Sequence, residues 1–78
     1  MWTIEEEKAK KLGDLLKKYR VKYGYTSAEV SIQTMIDPAQ LSRLEKGTVY
    51  RINPFMLKSL AKLYKVDVIS FYEIIDYI

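Results

Sequence analysis

The sequence predicts an all-α fold, a compact bundle of five helices, from three observations. Hydrophobic residues make up 49% of the chain and are spread along its whole length, which is the composition of a folded domain. Apolar residues recur at spacings of three and four, and no segment shows sustained alternation with a period of two, so no sheet is expected. Residue types that start helices recur along the chain. A length of 78 residues suits a single domain covering 1–78.

The first helix is expected to begin at Thr3 and to end at Gly24. Thr3 and Glu6 have the spacing of a capping box, in which each side chain satisfies a backbone N–H of the other residue. Glycine is frequent just after a helix C-terminus. The apolar stripe of this helix consists of Leu12, Leu15, Leu16, Tyr19 and Tyr23. Because Tyr19 and Tyr23 lie on the stripe, core packing is favoured for them over base stacking with single-stranded nucleic acid.

Four further helices are expected at about 26–34, 37–46, 54–64 and 68–77. Thr26 and Glu29 repeat the capping-box spacing at the start of the first of these. Pro38 and Pro54 each follow a residue of the N-cap type and suit the first helical position, where no N–H is needed. Asp67 is suited to cap the last helix.

The most informative spacing in the sequence is a very short turn between the second and third helices. Only Met35, Ile36 and Asp37 separate the two. Such a turn makes the helices cross steeply and leaves the later one standing out from the domain. The segment 26–46 is therefore predicted to be a helix-turn-helix. The side chains expected to face outward on the later helix are Ala39, Gln40, Arg43 and Lys46.

In this region the sequence resembles the Xre/Cro-like helix-turn-helix family of phage repressors and bacterial regulators. The residues that carry the resemblance are Tyr25-Thr26-Ser27-Ala28-Glu29-Val30 and Leu41-Ser42-Arg43-Leu44-Glu45-Lys46-Gly47, with 53–54 and 60–68 in support. The resemblance extends from Leu12 to about Tyr72. It implies a five-helix bundle of the phage repressor type. It also implies a repressor-like transcriptional regulator that binds double-stranded DNA sequence-specifically, with Asp37–Lys46 as the recognition helix in the major groove.

The same resemblance implies roles for individual residues. Contacts with base edges are implied for Pro38, Ala39, Gln40 and Arg43, with Pro38 contributing shape alone. Contacts with the DNA backbone are implied for Ser27, Ser42, Lys46, Thr48, Tyr50 and Arg51. Arg20 is implied to form a structural ion pair with Glu45, a bidentate contact that ties the first helix to the end of the recognition helix.

Several of these residues also suit a second interpretation. Arg43 suits guanine, whose O6 and N7 one arginine can grip together, or it is an ordinary solvated arginine. Gln40 either reads adenine or completes a capping box with Asp37. Ser27 stands where many relatives carry glutamine, which shortens its DNA contact, and Met35 stands where glycine is usual, so a left-handed backbone there is strained. A polar surface loop is an equal alternative for Thr48 and Tyr50, and a solvated face is favoured for Lys17, Lys18 and Lys22.

The last predicted helix is apolar on most of its circumference. The residues concerned are Phe71, Tyr72, Ile74, Ile75, Tyr77 and Ile78. One small core does not cover all of them, and an exposed apolar remainder marks an interaction surface. The interpretation is a homodimer contact, which places two recognition helices about 34 Å apart on a pseudo-palindromic site.

Composition narrows the remaining functions. The chain has no cysteine and no histidine, which excludes disulfides, the usual zinc sites and the commonest nucleophile and general base, so neither an enzyme nor a cofactor or metal is expected. No apolar run reaches the length of about 20 residues that spans a membrane, and the N-terminus is acidic, so a cytoplasmic protein is expected. A net charge of +3 permits a nucleic-acid partner. The alternative is a protein-interaction module, antitoxin-like or antirepressor-like, that keeps the fold but binds little DNA; in either case a regulatory protein partner is compatible with the sequence.

Overall fold

The architecture is known from a computed structural model, which describes residues 2–77 as five helices and one short strand pair. The helices are α1 (Glu6–Lys22), α2 (Ser27–Thr34), α3 (Pro38–Lys46), α4 (Pro54–Tyr64) and α5 (Val68–Ile74). The strands β1 (Trp2–Thr3) and β2 (Arg51–Ile52) pair antiparallel, with Thr3 opposite Arg51. The predicted five-helix bundle is confirmed.

The predicted N-terminal caps of α2 to α5 are present. In α2 the Thr26 hydroxyl accepts from the N–H of Glu29 at 3.1 Å, and the Glu29 carboxylate accepts from the N–H of Thr26 at 2.9 Å. The side chains of Asp37, Asn53 and Asp67 accept from the N–H two residues further on, at 3.3, 2.9 and 3.0 Å. Each cap satisfies a donor that has no partner inside its helix. The starts of four helices therefore follow from local chemistry.

Three local expectations were wrong. Thr3 does not cap α1, because it lies in β1; Glu5 holds the N-cap position and makes no capping hydrogen bond through its side chain. The expectation of no sheet fails at β1 and β2, since strands of two residues are too short to show alternation in the sequence. Gln40 does not complete a capping box with Asp37, because its amide oxygen accepts from Arg43 instead.

The hydrophobic core lies where the helices meet. Its fully buried side chains include Leu12, Leu16, Val30, Leu41, Ile52, Leu57, Leu60, Tyr64, Phe71 and Ile75. The predicted stripe of α1 is only partly interior: Leu15 and Tyr19 are half-buried, and Tyr23, in the C-cap position, is exposed. The contribution of α3 is Leu41 and Leu44, on one side of the helix. The opposite side of α3 is therefore free to face solvent.

Two glycines allow α1 and α3 to come very close together. A Cβ atom on Gly13 would lie 2.4 Å from the carbonyl oxygen of Leu44, and one on Gly47 would lie 2.5 Å from the Cα of Lys10. Real Cβ contacts are not this short, so only glycine fits at either position. Gly47 also ends α3 with a φ of 73°, which favours glycine for a second reason. The separation of the two helices is thus set by backbone contact.

An ion pair joins the same two helices, as the resemblance implied. The Nε of Arg20 donates to both carboxylate oxygens of Glu45, at 2.8 and 3.1 Å, and its Nη1 donates to the carbonyl oxygen of Tyr25 at 3.1 Å. The side chains are only 16% and 9% exposed. The hydrogen bond to Glu45 raises the pKa of Arg20 above its ordinary value. One guanidinium therefore connects α1, α3 and the segment before α2.

The last helix does not present the apolar surface that was expected of it. It ends at Ile74, not near Tyr77, and the side chains of Phe71 and Ile75 are 0% and 2% exposed. Both are core residues, so their assignment to a dimer contact is wrong. The five helices share one small core, and both of these side chains pack into it.

The other residues of that predicted contact are less buried. Tyr72 is half-buried, and its hydroxyl donates to the carbonyl oxygen of Pro54 at 3.0 Å. Its ring centroid lies 4.9 Å from that of Tyr77, which is 38% exposed. Ile74 is half-buried. Ile78 lies outside the described residues.

An aromatic cluster surrounds the buried ring of Tyr64. The ring centroids of Tyr19, Tyr23 and Tyr25 lie 5.8, 6.2 and 6.4 Å from it. The Tyr64 side chain is 0% exposed, and within residues 2–77 its hydroxyl has no hydrogen-bond partner. Burial raises its pKa from 10.0 to about 12, and the negative charge of Glu45 adds to the shift. These contacts support core packing for Tyr19, as the apolar stripe of the first helix indicated, and they show it for Tyr64.

We predict that Glu45→Ala lowers thermal stability more than Glu29→Ala does. Removing Glu45 leaves the mostly buried Arg20 charge without its partner, which is expected to lower the free energy of unfolding by about 2 kcal/mol or more and the melting temperature by roughly 10 °C. Removing Glu29 disturbs only an exposed capping box. The measurement is thermal unfolding followed by circular dichroism. Equal losses in the two variants would contradict a structural role for the ion pair.

We also predict that Tyr64→Phe is tolerated at neutral pH and protects the fold at alkaline pH. The hydroxyl is buried and has no hydrogen-bond partner among residues 2–77, so its removal is expected to change stability by about 1 kcal/mol at most, in the favourable direction. The folded pKa of about 12 exceeds the unfolded value of 10.0, so the corresponding stability is complete below pH 10.0 and is lost as pH rises through about 12. Chemical denaturation from pH 7 to 12 should show a smaller alkaline loss in the variant. Parallel curves would refute this.

Candidate nucleic-acid interface

The turn between α2 and α3 keeps a left-handed residue at Met35. Its φ and ψ are 59° and 24°, in the C-cap position of α2. A residue with a Cβ pays about 1–2 kcal/mol for this conformation. Two side chains of α2 hold the turn: the hydroxyl of Ser31 donates to the carbonyl oxygen of Ile36, and that of Thr34 accepts from the N–H of Ile36 at 3.4 Å. The strained path is thus enforced by hydrogen bonds and by the burial of Ile36.

The described structure brings the residues with implied base contacts onto one surface of α3. Pro38, Ala39 and Arg43 are exposed and Gln40 is half-buried, whereas Leu41 and Leu44 face the core. Nη2 of Arg43 donates to the amide oxygen of Gln40 at 3.0 Å. The outward surface of α3 therefore carries a hydrogen-bonded pair of long polar side chains next to two residues without side-chain donors.

Three of the residues with implied backbone contacts lie together beside the ion pair. Ser27, Ser42 and Lys46 line a cavity of about 230 Å³ with Arg20, Glu45 and Lys17. The charge of Glu45 faces Arg20, so the remaining charges at the cavity are the two lysines. We call these four side chains, Lys17, Ser27, Ser42 and Lys46, the basic pocket. It combines ammonium and hydroxyl groups, the donors that phosphate oxygens take.

Lys17 lines this cavity as well, a position that the sequence did not indicate. A solvated face was favoured for it along with Lys18 and Lys22. The signal that was available is its position one helical turn before Arg20, on the side of α1 that meets α3. The nitrogen of Lys22 lies 5.9 Å from the ring centroid of Tyr23, away from this cavity.

The remaining residues with implied backbone contacts follow the end of α3. Thr48, Tyr50 and Arg51 are all exposed. The N–H and the hydroxyl of Thr48 donate to the carbonyl oxygen of Arg43, at 3.1 and 3.3 Å. The carbonyl oxygen of Tyr50 accepts from the N–H of Ile4 at 2.7 Å. The backbone of the loop is therefore anchored at both ends.

Comparison with known proteins identifies the family. A model of the helix-turn-helix family matches residues 16–71, more than half of the chain. The chain belongs to the Xre/Cro-like helix-turn-helix family. A comparison with curated protein sequences finds no match.

Solved structures of this helix-turn-helix fold are similar at low sequence identity. The clp gene regulator ClgR from Corynebacterium glutamicum has a TM-score of 0.75 at 23% identity, covering 88% of this chain and 72% of that one. SinR, described as the master regulator for biofilm formation and solved in complex with DNA, has a TM-score of 0.71 at 22% identity, covering 77% and 95%. The structure of the SinR–SinI complex has a TM-score of 0.72 at 22% identity, covering 77% of this chain and 58% of that one. These likenesses show the shared fold.

An apolar surface adjoins the start of α3 in this helix-turn-helix. Met35 and Phe55 are 92% and 73% exposed, and with Ile36 and Met56 they line a groove of about 370 Å³ that Gln40 also borders. We call this the Met35–Phe55 patch. Sequence reasoning placed the exposed apolar surface on α5 instead. The available signal was Phe55 itself, which directly follows Pro54 and lies off the stripe that α4 buries.

Two further features bear on function. No helix within residues 2–77 is long and apolar enough to cross a membrane. The same part of the chain contains no group of three or more His, Cys, Asp or Glu side chains placed to hold a metal ion.

Proposed function

We propose that this protein is a transcriptional regulator that binds duplex DNA with α3 in the major groove. The observation that carries the proposal is the two-sided character of α3, which buries Leu41 and Leu44 and turns its polar side to solvent. The polar side consists of Gln40, Ser42, Arg43 and Lys46. Membership of the helix-turn-helix family supports the proposal, and so does the solved complex of the similar protein SinR with DNA.

In this proposal Arg43 and Gln40 provide the sequence discrimination. Arginine can donate to O6 and N7 of one guanine, a contact that discriminates by about 1–3 kcal/mol. Pro38 and Ala39 have no side-chain donor or acceptor, so they permit close approach, and the methyl of Ala39 suits a thymine methyl. Discrimination therefore depends on few hydrogen bonds.

The basic pocket provides the contact with the DNA backbone. Its two lysines and two serines offer donors to a phosphate, and the first N–H groups of α2 lie beside Ser27. Thr48, Tyr50 and Arg51 extend the contact along the loop after α3. The ion pair with Arg20 matters here as well, because an unpaired Glu45 would repel the phosphate.

A homodimer is part of the proposal. Regulators of this type bind pseudo-palindromic sites with the two recognition helices about 34 Å apart. With Phe71 and Ile75 in the core, the contact rests on Tyr72, Ile74 and Tyr77 or on the Met35–Phe55 patch. The second surface is favoured because its two main side chains are the more exposed.

A protein-interaction module is the second candidate function, and the Met35–Phe55 patch is the observation that favours it. Two large apolar side chains that are exposed side by side along one groove form the kind of contiguous surface that marks a protein contact. The similar protein SinR has been solved in complex with SinI. In this alternative the patch binds another protein and α3 binds little DNA.

We predict that the protein binds random-sequence duplex DNA with an affinity that falls steeply as salt rises. If about four phosphates are neutralised, the loss between about 50 and 200 mM salt is roughly 150-fold, because bound counterions are released. Fluorescence anisotropy with a labelled duplex at a series of salt concentrations measures the slope. No binding even at the lowest salt would favour the interaction module.

Neighbouring lysines on α1 supply a matched control for this measurement. Lys17 lines the basic pocket, whereas Lys18 is exposed outside it. Lys17→Ala is expected to reduce the slope of log affinity against log salt by about 0.9, the value for one phosphate contact. Lys18→Ala removes the same charge from the adjacent position and should change the slope less. Equal effects would show that total charge matters and the pocket does not.

We further predict that Arg43→Ala weakens binding to the preferred sequence more than binding to random DNA. The lost contact with guanine corresponds to about 1–3 kcal/mol on the preferred site only. Competition between a selected and a random duplex measures the ratio of the two affinities. A uniform loss on both would instead make Arg43 a phosphate contact.

A further inference from the structure

The outward surface of α3 carries a hydrogen-bonded pair of side chains, Gln40 and Arg43, that differ in burial. Arg43 is exposed, and its Nη2 donates to Oε1 of Gln40 at 3.0 Å. Gln40 is half-buried and borders the groove of the Met35–Phe55 patch, next to Ile36 and Met56. Within the described residues, the amide oxygen of Gln40 is the one side-chain partner of the Arg43 guanidinium. The glutamine is therefore packed in place and the arginine is attached to it.

The backbone of Arg43 is held as well. Its carbonyl oxygen accepts from both the N–H and the hydroxyl of Thr48, at 3.1 and 3.3 Å. A long side chain normally loses rotamer freedom when it binds a ligand, and this loss weakens binding. Gln40 holds the guanidinium of Arg43 and Thr48 holds its main chain. Part of the rotamer freedom of Arg43 is therefore already lost in the free protein, so less is lost on binding DNA.

The hydrogen bond between Arg43 and Gln40 also determines which donors and acceptors of each side chain remain for contacts with DNA. Arginine has five N–H donors, so Arg43 keeps enough of them to grip O6 and N7 of a guanine while one is used on Gln40. Glutamine reads adenine by accepting from N6 and donating to N7 at once. In Gln40 that oxygen already accepts from Arg43, which uses one of its two lone pairs and sets the direction of the amide, so Gln40 cannot turn toward N6 and N7 of an adenine without losing this hydrogen bond.

We propose that Gln40 is a positioning residue for Arg43 and does not itself read adenine. This role rests on the DNA-binding function proposed above and concerns how that site distinguishes one DNA sequence from another. Gln40 orients the guanidinium toward one guanine in each half of the binding site. The preferred DNA sequence then contains a guanine whose recognition requires both Arg43 and Gln40. It contains no adenine whose recognition requires Gln40.

Selection of bound duplexes from a randomised library tests this with four proteins: wild type, Gln40→Ala, Gln40→Glu and Gln33→Ala. Gln33 is an exposed glutamine on α2 and serves as the control. Gln40→Glu keeps an oxygen that accepts from Arg43, three residues further along the helix. Affinities of the selected duplex and of its guanine-to-adenine variant are then measured for each protein. Circular dichroism checks that all four are folded.

The wild type is expected to prefer guanine at one position by about tenfold or more, the strength of a good bidentate contact. Gln40→Ala should reduce this preference at least about threefold, and Gln40→Glu should restore it even if its added negative charge lowers affinity overall. Gln33→Ala should match the wild type. The restoration by glutamate is the readout that a direct base contact by Gln40 does not produce.

Two outcomes overturn the inference and are distinguishable from each other. If Gln40→Ala abolishes an adenine preference at a neighbouring position and leaves guanine unchanged, Gln40 reads adenine directly, while the proposed DNA-binding function stands. If the wild type enriches no sequence and shows no salt-dependent binding, the proposed function itself fails and the role of Gln40 with it.

Discussion

The contact between α1 and α3 is the constraint on which the rest of the structure depends. Gly13 and Gly47 let the two backbones approach to distances that no Cβ would permit, and the Arg20–Glu45 pair joins the helices at the same interface. A helix of nine residues held against its neighbour in this way keeps a defined orientation while exposing one side. The outward surface of α3 and the basic pocket both follow from that orientation.

The same contact links stability to the proposed interface. Glu45 lies in the wall of the basic pocket, where its charge would oppose a phosphate if Arg20 did not engage it. Arg20 also reaches the carbonyl oxygen of Tyr25, just before α2, so one side chain fixes the start of the helix-turn-helix as well as its end. Near it, the buried hydroxyl of Tyr64 lies among aromatic rings and has no hydrogen-bond partner in the described part of the chain.

The turn of the helix-turn-helix shows how tertiary contacts override a local preference. Methionine is a poor choice for a left-handed backbone, and yet Met35 adopts it with its side chain almost fully exposed. The hydrogen bonds from Ser31 and Thr34 and the burial of Ile36 stabilise the turn that this strain opposes. The result is an apolar side chain displayed beside the first turn of α3, where it forms the Met35–Phe55 patch with Phe55. That position places the patch beside the outward surface of α3.

The sequence by itself determined the number of helices, the starts of α2 to α5 and the side of α3 that faces solvent, because caps and apolar periodicity act over a few residues. The family resemblance added the Arg20–Glu45 pair. Only the tertiary structure decided the contacts between residues far apart along the chain: the pairing of Thr3 with Arg51, the burial of Phe71 and Ile75, and the place of Lys17 in the basic pocket. It also gave the Gln40 amide a partner that neither sequence-based alternative named, the guanidinium of Arg43. Local patterns show which side of each helix is apolar, because they depend on residues a few positions apart. Which apolar side chains are buried depends on how the helices pack around a small core.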